Sequence, residues 1–256
     1  IEKIYELLRQ EGRALRASEI CRRIMKMERI SDAVSNRIVA SILKDDARFE
    51  LTPSNLWQAK EGATPLDRTL SSTTFVAVDV ETTGIRSSEH RVTDLGAVRI
   101  ERGQIEASFS SLVNPGRPIP PEITILTGIT DQMVADAPPW EAVAPYFLSF
   151  IRDSVLVAHN APFDVGFINH ELALMGEPPL SNLHLCTVRL ARKIFVELPH
   201  HHLDALALHL GLPLEGRHRG LGDALIAAKL FLTCLEWLKR EKGYKTLREV
   251  KEFEGG

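Results

Sequence analysis

Apolar and polar positions in the first 60 residues follow the 3.6-residue period of short helices. Three groups of apolar residues mark the predicted inner faces of three helices: Ile4, Leu7 and Leu8; Ile20, Ile24 and Met27; Val34, Ile38, Ile42 and Leu43. Ser18 and Ser31 are the expected caps of the second and third helices. The period then changes, and Arg48–Leu51 and Leu56–Ala59 are predicted to form two short strands around a turn.

Three helices followed by a hairpin are typical of a winged-helix domain, which we predict for residues 1–61. The third helix of such a domain would enter the DNA major groove. Its predicted outward face is Ser35, Asn36, Arg37, Ser41 and Lys44. Because this face is only modestly basic, a protein-docking or dimerisation domain is an equal alternative. The segment 62–73 is rich in Ser and Thr and is predicted to be a linker.

Strand and helix patterns alternate through residues 74–240. The predicted strands are Phe75–Val80, Val92–Ile100, Ile105–Val113 and Val155–Ala158. The predicted helices are Pro139–Ile151, Pro162–Leu174, 187–194, 202–210 and 222–240. Strands first, and then strands interleaved with helices, predict an α/β domain with a mixed sheet flanked by helices. Residues 241–256 are predicted to be a C-terminal tail.

Composition excludes several classes of protein. Of the 256 residues, 44% are hydrophobic and 25% are charged, which is the profile of a globular chain rather than a disordered or collagen-like one. No apolar run reaches the ~18 residues that a membrane span requires. The three cysteines form no CxxC pair, and no signal peptide is visible, so we expect a reducing cytoplasm. Since the chain begins at Ile1, we expect that residues precede it in the natural protein. The net charge of −3 does not by itself indicate a nucleic-acid partner.

Two carboxylates lie at the end of the first predicted strand of the larger domain. Asp79 and Glu81 are two residues apart, so they point to the same face of a strand. Like charges at the edge of a core repel, and a cation would relieve that repulsion. Carboxylate oxygens favour Mg²⁺ or Mn²⁺. A solvated strand end is an equal interpretation of these two residues alone.

Three further residues are candidates for chemistry. Asp164 stands in the first turn of a predicted helix, where an acid often only stabilises the helix dipole. Asp223 opens a helix that is apolar nearly all round, and a carboxylate there needs a partner. His218 lies five residues earlier on a Gly-rich approach and is a candidate general base. The run His200–His202 is read as a loop and helix start rather than a metal site, because consecutive residues cannot all face one ion from a helix.

These segments together resemble the DEDDh 3′–5′ exonucleases, with the greatest likeness to the proofreading epsilon subunits of bacterial DNA polymerase III. The motifs that carry the resemblance are Asp79–Gly84, His159–Asp164, and His218 with Asp223. Asp94–Val98 and Leu126–Thr130 also match the family. The likeness covers about residues 73–238, and several motifs in order make it far more specific than any one of them. The N-terminal segment is not part of this pattern.

The resemblance implies a ribonuclease-H-like fold with a five-stranded mixed sheet and two divalent cations, Mg²⁺ or Mn²⁺. It implies that Asp79, Glu81 and Asp223 bind metal, with Asp79 bridging the two ions. Asp164 would support the site through water, and His218 would be the general base. The implied substrate-binding residues are Thr82, Gly84, His159, Asn160 and Phe163. The chain departs from the family at Thr127, where many relatives carry His.

Three functions are consistent with these residues. The first is a two-metal 3′–5′ exonuclease that releases nucleoside 5′-monophosphates from single-stranded DNA 3′ ends in proofreading or repair. The second is a 3′–5′ exoribonuclease, since the motif set is shared with RNases. The third is a winged-helix module with a silent nuclease fold; the presence of all four motif acids together with His218 argues against it. The expected partners are single-stranded DNA, or RNA, and a DNA polymerase or other repair protein; no membrane is expected. No clamp-binding peptide is recognisable in residues 239–256.

Overall fold

The computed structural model describes residues 1–255. They divide into two compact units, each with its own hydrophobic core. One unit comprises Ile1–Thr73 together with Tyr244–Glu252. The other comprises Thr74–Gly243 and the residues that follow Glu252. Among the described residues, no helix combines the length and apolar character that crossing a bilayer demands.

The N-terminal unit contains three helices followed by an antiparallel hairpin. The elements are α1 (Glu2–Glu11), α2 (Ala17–Met25), α3 (Asp32–Leu43), β1 (Phe49–Leu51) and β2 (Trp57–Ala59). Ser31 caps α3, because its hydroxyl accepts a hydrogen bond from the Val34 amide. The predicted second helix is present, but its predicted cap was wrong: α2 begins at Ala17 with Arg16 as its N-cap, which leaves Ser18 inside the first turn.

The predicted inner and outer faces of α2 and α3 need correction. Met27 lies beyond the end of α2 and is exposed. On α3, Val34 is 50% exposed, whereas Ser35 is fully buried beside Val39 and Leu43 in an i, i+4, i+8 stripe. Ser35 tolerates burial because its hydroxyl donates to the Asp32 carbonyl oxygen at 3.0 Å. The predicted outward face of α3 therefore loses Ser35.

The second unit is built on a five-stranded mixed sheet, which confirms the predicted fold class. Its strands are β3 (Phe75–Thr82), β4 (Val92–Glu101), β5 (Gln104–Leu112), β6 (Val155–Ala158) and β7 (His184–Cys186). The spatial order is β5-β4-β3-β6-β7. The first three form an antiparallel meander, and β6 and β7 continue the sheet in parallel with β3. The strand pattern did not predict β7, which is only three residues long.

Among the described residues, seven helices of this unit follow the antiparallel strands along the chain. They are α4 (Pro121–Thr127), α5 (Asp131–Ala135), α6 (Trp140–Ile151), α7 (Ala161–Leu174), α8 (Thr187–Ile194), α9 (Leu203–His209) and α10 (Gly220–Trp237). The predicted helix 222–240 divides into α10 and a π-helical turn, Leu238–Lys242. Helices α4 and α5 were not predicted.

The two faces of β3 are covered by different helices. Val76, Val78 and Val80 belong to the core cluster that includes Phe147 of α6 and Phe167 of α7. On the opposite face, the Phe75 ring packs against Phe231 of α10, with centroids 4.8 Å apart. Since side chains alternate along a strand, Asp79 and Glu81 share the Phe75 face, which α10 covers.

The segments predicted to be a linker and a tail are both structured. Within 62–73, Pro65–Asp67 forms a 3₁₀ turn with a capping box at Thr64, and Leu70 is buried. The predicted tail contains a further helix, α11 (Leu247–Gly255), so that prediction was wrong. Leu247 and Val250 are three residues apart and both buried, which gives this short helix an apolar face.

Candidate active site

Three carboxylates meet where the end of β3 faces the start of α10. Asp79 and Glu81 extend from one face of β3, and Asp223 lies in the first turn of α10. One oxygen atom of each lies within 4.8 Å of the others, and Asp223 is buried while the other two are half-buried. The structure thus brings together the three residues for which the sequence predicts metal binding.

Burial and mutual repulsion make this group reluctant to ionise. The pKa of Asp79 is raised well above its usual range, chiefly by burial and then by repulsion from Asp164, Asp223 and Glu81. The pKa of Glu81 is raised to about 7 by burial and by the neighbouring Asp223 and Asp94. Burial also raises the pKa of Asp223, although Arg217 opposes that shift. Three acids held this close favour either bound protons or a compensating cation near neutral pH.

Asp164 reaches the back of β3 from α7. It is buried, and its Oδ1 accepts a hydrogen bond of 3.1 Å from the Val80 amide, between the two strand acids. Burial raises its pKa to about 8, and the Val80 hydrogen bond only partly offsets that shift. Asp164 is not one of the three clustered acids. Its contact instead ties the first turn of α7 to the strand that carries Asp79 and Glu81.

Arg217 supplies a positive charge that sequence reasoning missed. Its guanidinium donates hydrogen bonds to both Asp204 and Asp223. The other oxygen of Asp223, Oδ1, is buried and has no hydrogen-bond partner among residues 1–255. An acceptor left open beside two more carboxylates fits a divalent cation. The only sequence signal was the position of Arg217 next to His218.

The approach of α10 to β4 fixes the position of Asp223. A Cβ atom on Gly96 would lie 2.0 Å from the backbone of Gly220, so this strand position admits only glycine. Asp94, buried on the same strand, accepts from Arg219 Nε at 2.8 Å and from the Gly220 amide at 3.3 Å. The sequence analysis identified Asp94 only as part of a segment that matches the family and predicted no role for it.

His218 lies in the loop before α10. It is half-buried and adopts a left-handed backbone conformation with φ of 59°, uncommon for a non-glycine residue. Its ring does not belong to the group of three potential ligands. His218 therefore precedes Asp223 closely in the chain but is not a member of the carboxylate cluster.

Residues 76–231 match the family model for RNase T exonucleases. The chain belongs to this exonuclease family. The DNA polymerase III subunit epsilon of Aquifex aeolicus is 40% identical over 183 residues, which cover 72% of this chain and 91% of the subunit. The PolC-type DNA polymerase III of Clostridium perfringens is 40% identical over 178 residues, 70% of this chain but only 12% of that polymerase.

The exonuclease is also similar to a solved structure of exonuclease X in complex with 5′-overhanging duplex DNA. The two are 27% identical, with a TM-score of 0.57, over 71% of this chain and 99% of the other. Matches of this extent identify the exonuclease as one of the DEDDh type. The family match begins at residue 76, after the described N-terminal helices and hairpin.

Two predicted substrate residues of the exonuclease form the turn after β3. The Thr82 hydroxyl donates to the Gly84 carbonyl oxygen at 2.6 Å. A Cβ atom on Gly84 would lie 2.5 Å from the His90 ring, so a larger residue would displace that ring. Thr82 is the last residue of β3 and Gly84 lies in the turn that follows, so both come directly after Asp79 and Glu81 along the chain.

The other predicted substrate residues stand at the start of α7. Phe163 is half-buried and packs on Phe167 at a centroid distance of 4.8 Å. His159 Nδ1 lies 2.9 Å from the Thr187 hydroxyl, and burial lowers the His159 pKa to about 4. Asn160 is exposed, with φ of 85°, and its side chain makes no capping hydrogen bond. The structure therefore leaves Asn160 open and Phe163 partly open, whereas His159 is engaged.

Thr127, the position where the chain departs from the family, has a local role. Its hydroxyl donates to the Ile123 carbonyl oxygen at 2.9 Å and accepts from the Ile129 amide at 3.1 Å. These bonds close the C-terminal end of α4. The side chain of Thr127 is buried.

Proposed function

We propose that this exonuclease uses two divalent metal ions to remove nucleoside 5′-monophosphates from the 3′ ends of single-stranded DNA. The observation that carries the proposal is the convergence of Asp79, Glu81 and Asp223 within 4.8 Å. All five motif residues, these three with Asp164 and His218, are present in one unit of the chain.

Asp79, Glu81 and Asp223 are the residues that would hold the ions, with Asp79 shared between them. Carboxylate oxygens suit hard cations such as Mg²⁺ and Mn²⁺ and leave coordination positions open to phosphate. When bound, a pair of such ions lowers the pKa of the attacking water and stabilises the leaving oxygen. The raised pKa values of these acids mean that protons compete with the cation for them.

His218 is the proposed general base, and Asp164 the proposed supporting acid. A neutral imidazole nitrogen of His218 would accept the proton that the attacking water loses. The loop position of His218 allows that approach without making it a ligand of the cluster. Asp164 would keep β3 and the first turn of α7 in register through its bond to the Val80 amide, and would support the ions through water.

The terminal nucleotide is proposed to bind between the turn after β3 and the start of α7. Thr82 and Gly84 would line one side of it, and Asn160 with His159 the other. Phe163 offers an aromatic surface beside Asp164, and base stacking on such a ring is independent of sequence. A splayed single-stranded end meets these requirements better than a paired one.

Two observations support DNA and a replication or repair role. Exonuclease X, which is 27% identical to this chain, was solved in complex with 5′-overhanging duplex DNA. The Aquifex relative, covered over 91% of its length, is a subunit of DNA polymerase III. We therefore propose a DNA polymerase or repair protein as partner, and the cytoplasm as the location.

The N-terminal unit is proposed to anchor nucleic acid as a winged helix. Its three helices and hairpin occur in that order, and α3 exposes Arg37 and Lys44. Substituting both with Gln should then reduce the salt dependence of DNA binding, since each lost phosphate contact lowers that slope. An unchanged slope would favour the docking or dimerisation alternative.

The direct test of the proposal compares substrates. End-labelled DNA and RNA oligonucleotides of one sequence are incubated side by side with the protein in Mg²⁺. We expect stepwise shortening of the DNA from its 3′ end, with nucleoside 5′-monophosphates as products. Faster shortening of the RNA would establish the exoribonuclease alternative, and no shortening of either would support the silent-fold alternative.

A further inference from the structure

A cavity opens beyond the ends of β6 and β7. It has a volume of about 740 Å³ and is lined by residues that follow these two strands, by α8 and by the loop before α9. In open α/β sheets, ligands bind in the crevice outside the carboxyl ends of parallel strands. The cavity occupies that position. Its lining includes His159 and Asn160, so it adjoins the proposed site of the terminal nucleotide, but it includes neither the carboxylate cluster nor the proposed base.

The register of the sheet places this cavity beside the carboxylates. Ala77 of β3 is paired with Val157 of β6, so Asp79 and His159 follow at one level. The 2.9 Å contact of His159 with Thr187 extends that level to the residue after β7. Neighbouring strands are about 4.8 Å apart, so the β7 side lies roughly 10 Å from Asp79. At about 3.4 Å per stacked nucleotide, this is a span of about three nucleotides.

The charge of the cavity is positive. Arg189 and Arg192, both on α8, contribute to its lining, and no Asp or Glu does so among the described residues. Arg192 is exposed and forms no ion pair within the described part of the chain. Arg189 has a side chain that is 53% exposed and lies 4.0 Å from Glu254, so its charge is only partly offset. Such a pair of arginines favours an anionic ligand.

The histidines that follow Pro199 in the lining hold the loop before α9 in place and do not form a metal site. His201 Nε2 donates to the Phe195 carbonyl oxygen at 3.0 Å, and His202 Nδ1 accepts from the Ala205 amide at 3.2 Å as the cap of α9. The His200 and His202 rings stack with centroids 5.9 Å apart. With these nitrogens engaged, the loop is held in place. The His200 ring is exposed and stacks on the His202 ring through one of its faces.

We propose that this cavity binds the backbone phosphates of the nucleic-acid strand about three nucleotides upstream of its 3′ end. Arg189 and Arg192 contact the phosphates, and His200 offers a surface on which a base can stack. The proposal rests on the proposed function, because it assumes that the 3′ end lies at Asp79, Glu81 and Asp223. It adds a binding site that holds the strand during successive cleavages.

Strand binding by an Arg189→Gln, Arg192→Gln double variant tests the proposal. The matched control is Arg102→Gln, because Arg102 is exposed in the β4–β5 turn, at the opposite end of the sheet. Fluorescence anisotropy measures binding of labelled dT2 and dT10 in EDTA at several salt concentrations. We expect weaker dT10 binding and a salt slope reduced by about 0.7 for each arginine. Binding of dT2 by the double variant should match wild type. Binding of both oligonucleotides by Arg102→Gln should also match wild type.

Several outcomes would overturn the proposal. The first is an unchanged salt slope of dT10 binding in the double variant. The second is an equal loss of dT10 affinity in Arg102→Gln, and the third is an equal loss of dT2 affinity in the double variant. Weaker inhibition by a nucleoside 5′-monophosphate with unaltered dT10 binding would show that the cavity holds released product instead. Arg192→Gln alone, which breaks no ion pair, guards against a folding defect and should give half of the slope change. If wild type binds dT10 through these arginines but degrades no strand in Mg²⁺, the proposed function fails while this site remains.

Discussion

Asp164 accepts a hydrogen bond from the Val80 amide, 3.1 Å away, directly between the two strand acids Asp79 and Glu81. The bond joins the first turn of α7 to β3, the strand that carries two of the three clustered carboxylates. It also buries a fourth acid against a site already rich in negative charge. The metal-free protein should therefore respond to pH in a specific direction.

The first prediction is that metal-free stability falls as pH rises from about 4 to about 8. The folded-state pKa values of Glu81, about 7, and Asp164, about 8, both exceed the usual values of these side chains. The folded state therefore binds protons that the unfolded state has released, and that advantage disappears as pH passes the folded values. Thermal unfolding in EDTA between pH 5 and 8.5 should show a decreasing Tm.

Asp164→Asn is the control for this pH dependence. The amide oxygen can still accept from Val80, while the titrating group is gone, so the decline above pH 6 should become shallower. Added Mg²⁺ should also reduce the decline, because a bound cation keeps the carboxylates ionised. A Tm that rises steadily across this range in EDTA would show that these acids are not held protonated.

The second prediction concerns the contact between β4 and α10. In Gly96→Ala the new Cβ would meet the Gly220 backbone at 2.0 Å, so α10 and Asp223 must move. We expect a loss of roughly 1–3 kcal/mol in unfolding free energy, as for other overpacked positions, and weaker metal binding. The matched variant is Gly166→Ala on α7, where nothing lies within 4 Å. It should be neutral or slightly stabilising; equal behaviour of the two would contradict the role of this contact.

The third prediction is that Arg217 competes with the cation for Asp223. Because its guanidinium donates to that carboxylate, Arg217→Gln should bind Mg²⁺ more tightly. The expected gain is about fivefold, since ion pairs near a surface contribute on the order of 1 kcal/mol. Arg102→Gln is the control, because Arg102 is exposed in the β4–β5 turn, at the end of the sheet opposite the carboxylates. Weaker Mg²⁺ binding by Arg217→Gln would show that Arg217 supports the metal rather than opposing it.

The fourth prediction concerns the rate. His218→Ala should lower kcat by roughly 10²–10⁴-fold, the usual contribution of a general base. The wild-type rate should rise with pH over the range tested, because only a neutral imidazole accepts a proton. Steady-state hydrolysis of a short oligonucleotide from pH 5.5 to 9 measures both. Retention of the wild-type pH profile in the variant would exclude His218 as the base.

Local patterns predicted the parts of the site that lie within single elements. Alternation along β3 placed Asp79 and Glu81 on one face, and the apolar surface of α10 indicated that Asp223 would be buried. Helix α8 was predicted with the bounds that the structure shows, Thr187–Ile194. These features depend on periodicity, which is visible in a few consecutive residues.

Features that depend on tertiary contact were not predictable in this way. Arg217 gains its role from Asp204, 13 residues away, and Asp94 from Arg219, 125 residues away. Ser35 was expected on the outward face of α3 and is buried, since its hydroxyl finds a partner within its own helix. The strand β7 is too short to show a period, although the family resemblance had implied a fifth strand. Fold and motif were thus predictable, and the charge balance of the site was not.

Metal titration by calorimetry tests the central claim most directly. Wild type, Asp223→Asn and His218→Ala are each titrated with Mn²⁺ at pH 7.5. The account predicts that wild type and His218→Ala bind the ion with similar affinity, whereas Asp223→Asn binds it at least tenfold more weakly. If Asp223→Asn binds Mn²⁺ as wild type does, or if wild type binds none, then Asp79, Glu81 and Asp223 are not the metal site.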